Sequence, residues 1–303
     1  MRRQKQKILV IVGATASGKS GLAVSLARRF DGEVISADSR QVYRGLDLGT
    51  GKISKYEMRG VPHHLLDIAD PGRRPYYSAG DFARDAERAF ATISERGRLP
   101  IIAGGTGFYI DAALGAVTLP DVPPNPALRK RLEAREAASL FRELQKRDPK
   151  RALHIDPHNK RRLVRALEIT LAKKPVPSRA QKERTAYDVL TIGIKLPDEA
   201  LKKKIKARLL ARLKRGMIAE AKRLRKKGLS FKRMEELGLE YRFLSRYLRG
   251  VLTREEMTDQ LEKAIVRYAK RQKRWFSYNK KTHWFAPTEI KQIKKTVASF
   301  LAS

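Results

Sequence analysis

Residues 13–20 read Gly-Ala-Thr-Ala-Ser-Gly-Lys-Ser, a complete phosphate-binding loop, and this stretch decides the fold of the N-terminal half of the chain. It follows the apolar run at 8–12 and precedes a helix predicted over 21–29. A buried strand that leads through a glycine-rich turn into a helix places several backbone N–H groups around one anion. Lys19 adds a positive charge, and the hydroxyl of Ser20 is suited to Mg²⁺. The motif therefore predicts that the chain binds a phosphorylated compound.

The composition excludes several classes of protein. The 303 residues include no cysteine, which rules out disulfides and thiolate zinc sites. Apolar residues make up 42% of the chain, enough for a proper core, but no apolar stretch is long enough to cross a bilayer. We therefore expect a cytoplasmic, monomeric protein with no membrane partner.

The positive charge is concentrated in the distal part of the chain. Residues 1–120 carry 18 Lys and Arg against 12 Asp and Glu, whereas residues 121–303 carry 49 against 20. The two parts thus contribute +6 and +29 to the net charge of +35. A small phosphorylated ligand needs only a few cations, so the excess favours a polyanionic partner such as nucleic acid. From charge alone, a basic surface that merely solvates helices remains the alternative.

The first 115 residues alternate between strands and helices. The predicted strands are 8–12, 33–36 and 99–103, and the predicted helices are 21–29 and 78–96. This alternation predicts a parallel sheet covered on both faces, with ligands gathered at the carboxyl ends of its strands. The phosphate loop, Asp38-Ser39 and the glycine turn at 104–107 all fall at such ends.

A helical insertion is predicted in the middle of the chain. The proline-rich segment 120–126 breaks the pattern, and basic helices are predicted over 127–147 and 160–172 before a second break at 173–178. The apolar run 189–196 then reads as a strand that returns to the sheet. The predicted fold is therefore α/β: a P-loop NTPase-like parallel-sheet core (1–115 and 188–303, with a helical C-terminal part) and an inserted, mainly helical RNA-binding domain (116–187).

Two loops at the predicted sheet edge carry candidate chemistry. Asp38, directly after a strand, could bind Mg²⁺ or act as a base toward a second substrate, although a helix N-cap is the plainer interpretation. The turn Gly104–Gly107 would bring a second loop to the same ligand, with Thr106 as a donor.

Other polar clusters allow more than one interpretation. His63 and His64 are adjacent and point in different directions on any regular element, so we expect a loop contact or a buried hydrogen-bonded pair and not a metal site. Arg161, Arg162 and Arg165 lie within two turns of one predicted helix, either as a solvated face or as a grip on phosphates. Residues 267–276 interleave cations with aromatic side chains, a pattern suited to holding phosphates while stacking bases, or to a helix docked in the core.

Taken together, these pieces resemble the tRNA dimethylallyltransferases, also called tRNA isopentenyltransferases, nearly end to end. The resemblance rests on the phosphate loop and on the segments ISADSRQVYRGLDLGTGK (35–52), VPHHLLD (61–67), AGGTGFY (103–109), RRLVRALE (161–168) and YAKRQKRWF (268–276). Of these, 35–52 and 268–276 are far more specific than the phosphate loop. The phosphate loop departs from the family pattern at Ala14, where proline is usual, and at Ser20, where threonine is commoner.

The resemblance implies an activity with two substrates. A dimethylallyl group would pass from dimethylallyl diphosphate to N6 of adenosine 37, in the anticodon stem–loop of tRNA, with Mg²⁺ as cofactor and release of diphosphate. The catalytic residues implied are Asp38 as the base, with Lys19, Thr15 and Thr106 near the diphosphate. The diphosphate would be held by Gly13, Ala14, Thr15, Ala16, Ser17, Gly18, Lys19, Ser20 and Arg208, and Mg²⁺ by Ser20. The implied tRNA contacts are Asp38, Ser39, Arg40, Gln41, Thr106, Arg129, Arg161, Arg162 and Arg165.

Three alternatives stay open on the sequence. An adenylate isopentenyltransferase would prenylate a free nucleotide with the same Lys19 and Asp38, but it would need neither the insertion nor the distal charge. A small-molecule kinase that uses ATP is motivated by the phosphate loop alone. A non-catalytic RNA-binding protein would have no need to keep Lys19, Asp38 and Thr106 intact.

Overall fold

One parallel sheet forms the centre of the larger part of the protein. In the computed structural model, which describes residues 5–120, 122–172 and 187–303, its strands are β1 (Gln6–Gly13), β2 (Gly32–Ala37), β3 (His63–His64), β4 (Leu99–Gly104), β5 (Tyr187–Ile194) and β6 (His283–Phe285). Their order is β3-β2-β4-β1-β5-β6, and every neighbouring pair is parallel. The predicted α/β class and parallel sheet are confirmed.

The helices of the described residues are numbered in chain order. They are α1 (Lys19–Arg29), α2 (Lys55–Met58), α3 (Ala79–Glu95), α4 (Gly107–Ala113), α5 (Pro126–Glu133), α6 (Ala137–Arg147), α7 (Pro149–Ala152), α8 (Lys160–Leu171), α9 (Asp198–Lys214), α10 (Met217–Lys226), α11 (Phe231–Leu237), α12 (Leu239–Leu248), α13 (Arg254–Ser277) and α14 (Ile290–Ala302). Within the described ranges, none of these helices has the length and apolar character to cross a membrane.

Alternating side chains of β1 build the two faces of the sheet. Ile8, Val10 and Val12 share a buried cluster with residues of α3 and α4. Leu9 and Ile11 point the other way, into a cluster with residues of α1 and α14. Burying an aliphatic side chain of this size contributes about 1.5–3 kcal/mol, so the covered sheet is a firm base for the loops at its carboxyl edge.

The C-terminal helices form a second layer of core in the larger unit. Helices α9 to α13 pack around buried residues that include Leu209, Met234 and Leu244. The same cluster takes in Val42 and Tyr43, from the loop that follows β2. The loop after Asp38 is thereby fixed between the sheet and the helical layer.

The described residues from Val117 to Ala172 form a separate compact unit, while those up to Ala116 and from Tyr187 onward form the larger one. In the smaller unit, α5 to α8 enclose a core that contains Leu140, Leu144, Leu163 and Leu167. Its other organising feature is a carboxylate, Glu168, whose side chain is 1% exposed.

Several elements differ from the sequence prediction. The single helix expected over 127–147 is two helices, because residues 134–136 leave the helical path and Arg135 turns to pair with Glu143 at 2.6 Å. Strands β3 and β6 have only two and three residues and carry no detectable strand pattern. The break predicted at 173–178 lies outside the described residues.

Candidate functional site

Three loops meet in one cavity at the carboxyl edge of the sheet. They follow β1, β2 and β4, three neighbouring strands, which is why segments far apart in sequence converge there. The cavity has a volume of about 400 Å³. Of the residues predicted for the site, it is lined by Thr15, Ala16, Gly18, Lys19, Ser20, Asp38, Gln41 and Arg208.

The phosphate loop has the backbone that the motif predicts. Gly13 and Gly18 have φ values of +146° and +97°, in the region that favours glycine. Ala14 and Ser17 are buried beneath the loop, whereas Ser20 is exposed at the start of α1. The loop therefore presents its centre, Lys19 and the Ser20 hydroxyl to the cavity.

The charge of Lys19 is strongly affected by its surroundings. Burial, reinforced by repulsion from Arg208, lowers the pKa of Lys19 to about 7, and Asp38 works in the opposite direction. Its ammonium nitrogen donates a hydrogen bond to the carbonyl of Ala14 at 2.6 Å. An anion in the cavity would stabilise the protonated form and raise this pKa.

Asp38 lines the same cavity from the turn that follows β2. One oxygen, Oδ1, accepts the backbone N–H groups of Arg40 at 2.8 Å and Gln41 at 3.3 Å. The carboxylate thus caps the turn that follows β2, and it also lines the cavity. The helix N-cap interpretation of Asp38 is wrong, because the chain forms a turn after β2 and the next helix begins only at Lys55. Arg40 itself is turned toward the helical layer, with Nε bonded to the carbonyl of Leu237 at 2.5 Å.

Thr106 joins the loops that follow β2 and β4. Its hydroxyl accepts the backbone N–H of Ser39 at 3.1 Å. Neither Thr106 nor Ser39 lines the cavity itself; Gly104 and Gly105 do. The structure therefore brings the two predicted loops together, and the Thr106 side chain hydrogen-bonds one loop to the other.

Arg208 supplies a second cation from helix α9. Its NH2 group donates to the carbonyl of Gly51 at 2.8 Å, which fixes the side chain against the loop 48–52. Lys204, one turn earlier on α9, lines the cavity as well. Lys19, Lys204 and Arg208 make that part of the cavity basic, a suitable environment for a multiply charged anion.

Two residues of helix α13 complete the site and were missed by sequence reasoning. Gln272, 5% exposed, accepts the Thr15 N–H at Oε1 and donates from Nε2 to the carbonyl of Gly105, both at 2.8 Å. Tyr268 lines the cavity one turn earlier, and burial followed by the nearby Asp38 raises its pKa. The segment 267–276 was singled out for its cations and aromatics, but nothing in the pattern marked the glutamine.

The histidine pair makes the hydrogen-bonded contacts expected for it. His64 Nε2 lies 2.6 Å from Oε2 of Glu33, a fully buried carboxylate that also accepts from Arg98 at 2.8 Å. His63 faces the other way and pairs through Nδ1 with the carbonyl of Val61 at 2.8 Å. Burial alone would raise the pKa of Glu33, but the bonds from His64 and Arg98 outweigh it and lower the pKa.

The arginines predicted to bind tRNA lie in the smaller unit and fall into two kinds. Arg129 and Arg165 both bond to the buried Glu168, which also accepts the N–H of Asn125 at 2.7 Å. Arg161 and Arg162 are exposed on α8, and among the described residues their side chains have no ion pair. The first pair therefore holds the unit together, while the second pair faces solvent.

Comparison with known families gives a match over most of the chain. A family model described as IPP transferase matches residues 41–280, and one described as isopentenyl transferase matches residues 6–70. A relative from Treponema denticola, tRNA dimethylallyltransferase 2, is 46% identical over 276 residues, which are 90% of this chain and 92% of the relative.

Solved structures give the same result for the fold. The tRNA isopentenylpyrophosphate transferase of Bacillus halodurans is 38% identical, with a TM-score of 0.74 over 98% of this chain and 97% of that chain. A eukaryotic dimethylallyltransferase acting on tRNA is 26% identical, with a TM-score of 0.80 over 97% of this chain and 77% of that chain.

The lowered pKa of Lys19 predicts that anion binding is coupled to proton uptake. Above about pH 7 the Lys19 amine is largely neutral in the free protein, and a bound diphosphate restores its positive charge. At about pH 8 we therefore expect Lys19 to take up close to one proton for each diphosphate bound. Calorimetric titration of inorganic diphosphate in buffers of different ionisation enthalpy measures this uptake. In Lys19→Arg the guanidinium stays charged over this pH range. Binding of diphosphate to this variant should therefore take up about one proton fewer than binding to the unaltered protein. Equal uptake by the two proteins would contradict the prediction.

Proposed function

Because the chain belongs to the tRNA dimethylallyltransferase family, we propose that it transfers a dimethylallyl group from dimethylallyl diphosphate to N6 of adenosine 37 of tRNA. The observation that carries the proposal is one cavity lined by the phosphate loop, by the cations of Lys19 and Arg208, and by the Asp38 carboxylate. Such a cavity suits a reaction in which an anion leaves one end of a short prenyl chain while an amine attacks it. The products are the prenylated tRNA and diphosphate.

The basic side of the cavity is proposed to hold the leaving group. As the allylic C–O bond stretches, negative charge collects on the diphosphate, and positioned donors stabilise that charge more in the transition state than in the ground state. Lys19, Arg208 and the N–H groups of residues 13–20 would supply those donors. Thr15 is proposed to contact the diphosphate from the rim of the loop, and Thr106 is proposed to act indirectly, by holding the loops that follow β2 and β4 together beside it.

Mg²⁺ is proposed as the cofactor, and the residues present fit it. The ion prefers a few oxygen ligands completed by phosphates and water, and the Ser20 hydroxyl lines the cavity with the carboxylates of Asp38 and Glu57. Ser20 would hold the ion against the diphosphate oxygens. When bound, it supplies additional neutralisation of the leaving group.

Asp38 is proposed as the general base. The adenine amine is a weak nucleophile because its lone pair is delocalised into the ring, so removing its proton as the C–N bond forms helps the reaction. The balance is simple: the C–N bond forms, the C–O bond breaks, and one N6 proton passes to Asp38. Since Oδ1 already accepts two backbone N–H groups, Oδ2 is the oxygen that we propose takes the proton.

Adenosine 37 has to leave the stack of the anticodon stem–loop to reach this carboxylate. We propose that Ser39, Arg40 and Gln41, which follow the base in the chain, contact the nucleotide or its neighbours. The smaller unit is proposed to bind the stem–loop through its basic residues, with the enzyme acting as a monomer. Arg161 and Arg162 are the better candidates there, because Arg129 and Arg165 already hold Glu168.

Neither enzymatic alternative is favoured by the chain as a whole. The similarity to enzymes that act on tRNA covers nine-tenths of the sequence, including the helical unit that a free-nucleotide prenyltransferase does not need. The kinase alternative rests only on the phosphate loop, and this motif binds an anionic group in many different compounds.

Incubation with labelled dimethylallyl diphosphate and either tRNA or AMP tests the proposed function. We expect label in tRNA and none in AMP, since the acceptor site is built to take a base held in RNA. Asp38→Asn keeps the shape of the side chain but cannot take the proton, and a general base typically contributes 10²–10⁴-fold, so transfer should fall by about that factor. Label in AMP alone would favour the free-nucleotide alternative, and full transfer by Asp38→Asn would assign the proton to another group.

The two exposed arginines of α8 are expected to bind phosphates of tRNA. The double variant Arg161→Gln, Arg162→Gln should weaken tRNA binding and lower the slope of log affinity against log salt by up to about two, because each phosphate contact contributes a little under one. Filter binding over a range of salt concentrations measures this slope.

Arg165→Gln is the matched comparison for that variant. It removes a partner of the buried Glu168 and should lower the melting temperature, whereas the double variant should leave the melting temperature unchanged. If the salt slope is unchanged in the double variant, Arg161 and Arg162 form a solvated helix face and do not bind phosphates.

A further inference from the structure

A stripe of aromatic and cationic side chains runs along α13 away from the cavity. Tyr268, Arg271, Trp275 and Tyr278 are spaced by three and four residues and so share one face of the helix. Tyr268 lines the cavity, whereas Trp275 is 43% exposed and Tyr278 is 71% exposed. The stripe thus leads from beside Asp38 to the protein surface.

Trp275 is exposed but fixed in place. Its indole nitrogen donates a hydrogen bond to Asp111 at 3.1 Å. Gly107 lies directly against the ring, since a Cβ at that position would approach Trp275 Nε1 to 2.2 Å. Phe108, 42% exposed, meets the indole edge to face with centroids 6.4 Å apart. A large aromatic surface held this firmly in contact with solvent is organised in advance for a flat partner.

Trp275 lies where it could cover a base that the proposed reaction leaves unstacked. Seven residues of helix separate it from Tyr268, about 10 Å along the axis. Extruding adenosine 37 breaks its stacking with the nucleotides on either side, so a neighbouring base loses the cover of one face. Exposed aromatic side chains of proteins that bind single-stranded nucleic acid cover such faces.

Charge along the stripe favours RNA as the occupant. Arg271 and Arg274 are exposed beside the aromatics, with Arg271 over the ring of Tyr268 at 5.8 Å. Arg274 Nε bonds to the Tyr278 hydroxyl at 3.2 Å. Cations interleaved with aromatic faces hold a phosphate backbone while its bases stack.

We propose that Trp275, supported by Phe108, stacks on a nucleotide adjacent to adenosine 37 and holds the anticodon loop open at the cavity. The proposal rests on the proposed function, because it assumes that tRNA is the substrate. It adds a binding surface for single-stranded RNA to the phosphate grip proposed for the smaller unit.

The two tryptophans of the chain allow a direct test. Trp284→Phe leaves Trp275 as the sole tryptophan, and Trp275→Phe leaves Trp284, which is 37% exposed, as the matched control. Titration with unmodified tRNA should quench the fluorescence of the protein that retains Trp275 and shield it from acrylamide, with little change in the control. Quenching of Trp275 fluorescence requires tRNA binding but no prenyl transfer. This test can therefore fail or succeed independently of the labelling assay.

A loss of function accompanies the spectroscopic change. Trp275→Leu should lower kcat/KM for tRNA by about tenfold or more, the effect expected for losing one base-aromatic contact, and Trp275→Phe should retain most of it. An anticodon loop with an abasic site next to adenosine 37 should bind without quenching Trp275. Full tRNA binding with an unquenched Trp275 would overturn the proposal, as would a change of oligomeric state in Trp275→Phe with kcat/KM unaltered.

Discussion

One side chain connects two of the three loops that line the candidate active site. Gln272 accepts a hydrogen bond from the phosphate loop at Thr15 and donates one to the second glycine loop at Gly105, each at 2.8 Å. The glutamine comes from α13, in the C-terminal helical layer, and not from the sheet that carries the loops. Transfer of a short prenyl group requires its two ends to be held at a fixed separation, since misplacement by about 1 Å can cost 10²-fold in rate. We infer that this bridge sets the separation.

The electrostatics of the cavity complement that geometry. Desolvation of Lys19 and repulsion from Arg208 lower the pKa of Lys19 to about 7, so its positive charge is only partly retained at neutral pH when the cavity holds no anion. The phosphorylated donor therefore supplies the counter-charge that the site lacks. Asp38 favours the charged form of Lys19, but its effect on the pKa is smaller than those of burial and Arg208.

Much of this could be predicted from the sequence, because the relevant signals are local. The apolar run before the phosphate loop, the loop itself and the residues after each strand end are contiguous, and parallel strands bring their carboxyl ends together. The edge strands β3 and β6 were not predictable, because two or three residues show no periodicity. Gln272 was not predictable either: its partners are 257 and 167 residues away in the chain.

The arginines of the smaller unit show what a charge pattern in the sequence does not reveal. The sequence predicts that Arg129 and Arg165 bind RNA. In the structure both side chains bond to the buried carboxylate of Glu168. Burial would raise the pKa of Glu168, and the bonds from Arg129, Asn125 and Arg165 lower it instead. The spacing of Arg165 and Glu168, three residues apart on one helix, was the local signal for this pairing.

The single-turnover rate of prenyl transfer in Gln272→Met, with both substrates saturating, tests the inferred bridge most directly. The account predicts a rate lower by roughly 10²-fold, since the loops lose their fixed spacing, with the affinities for diphosphate and tRNA changed by only a few fold. A rate equal to that of the unaltered protein would contradict it, and so would a loss explained wholly by weaker binding of diphosphate.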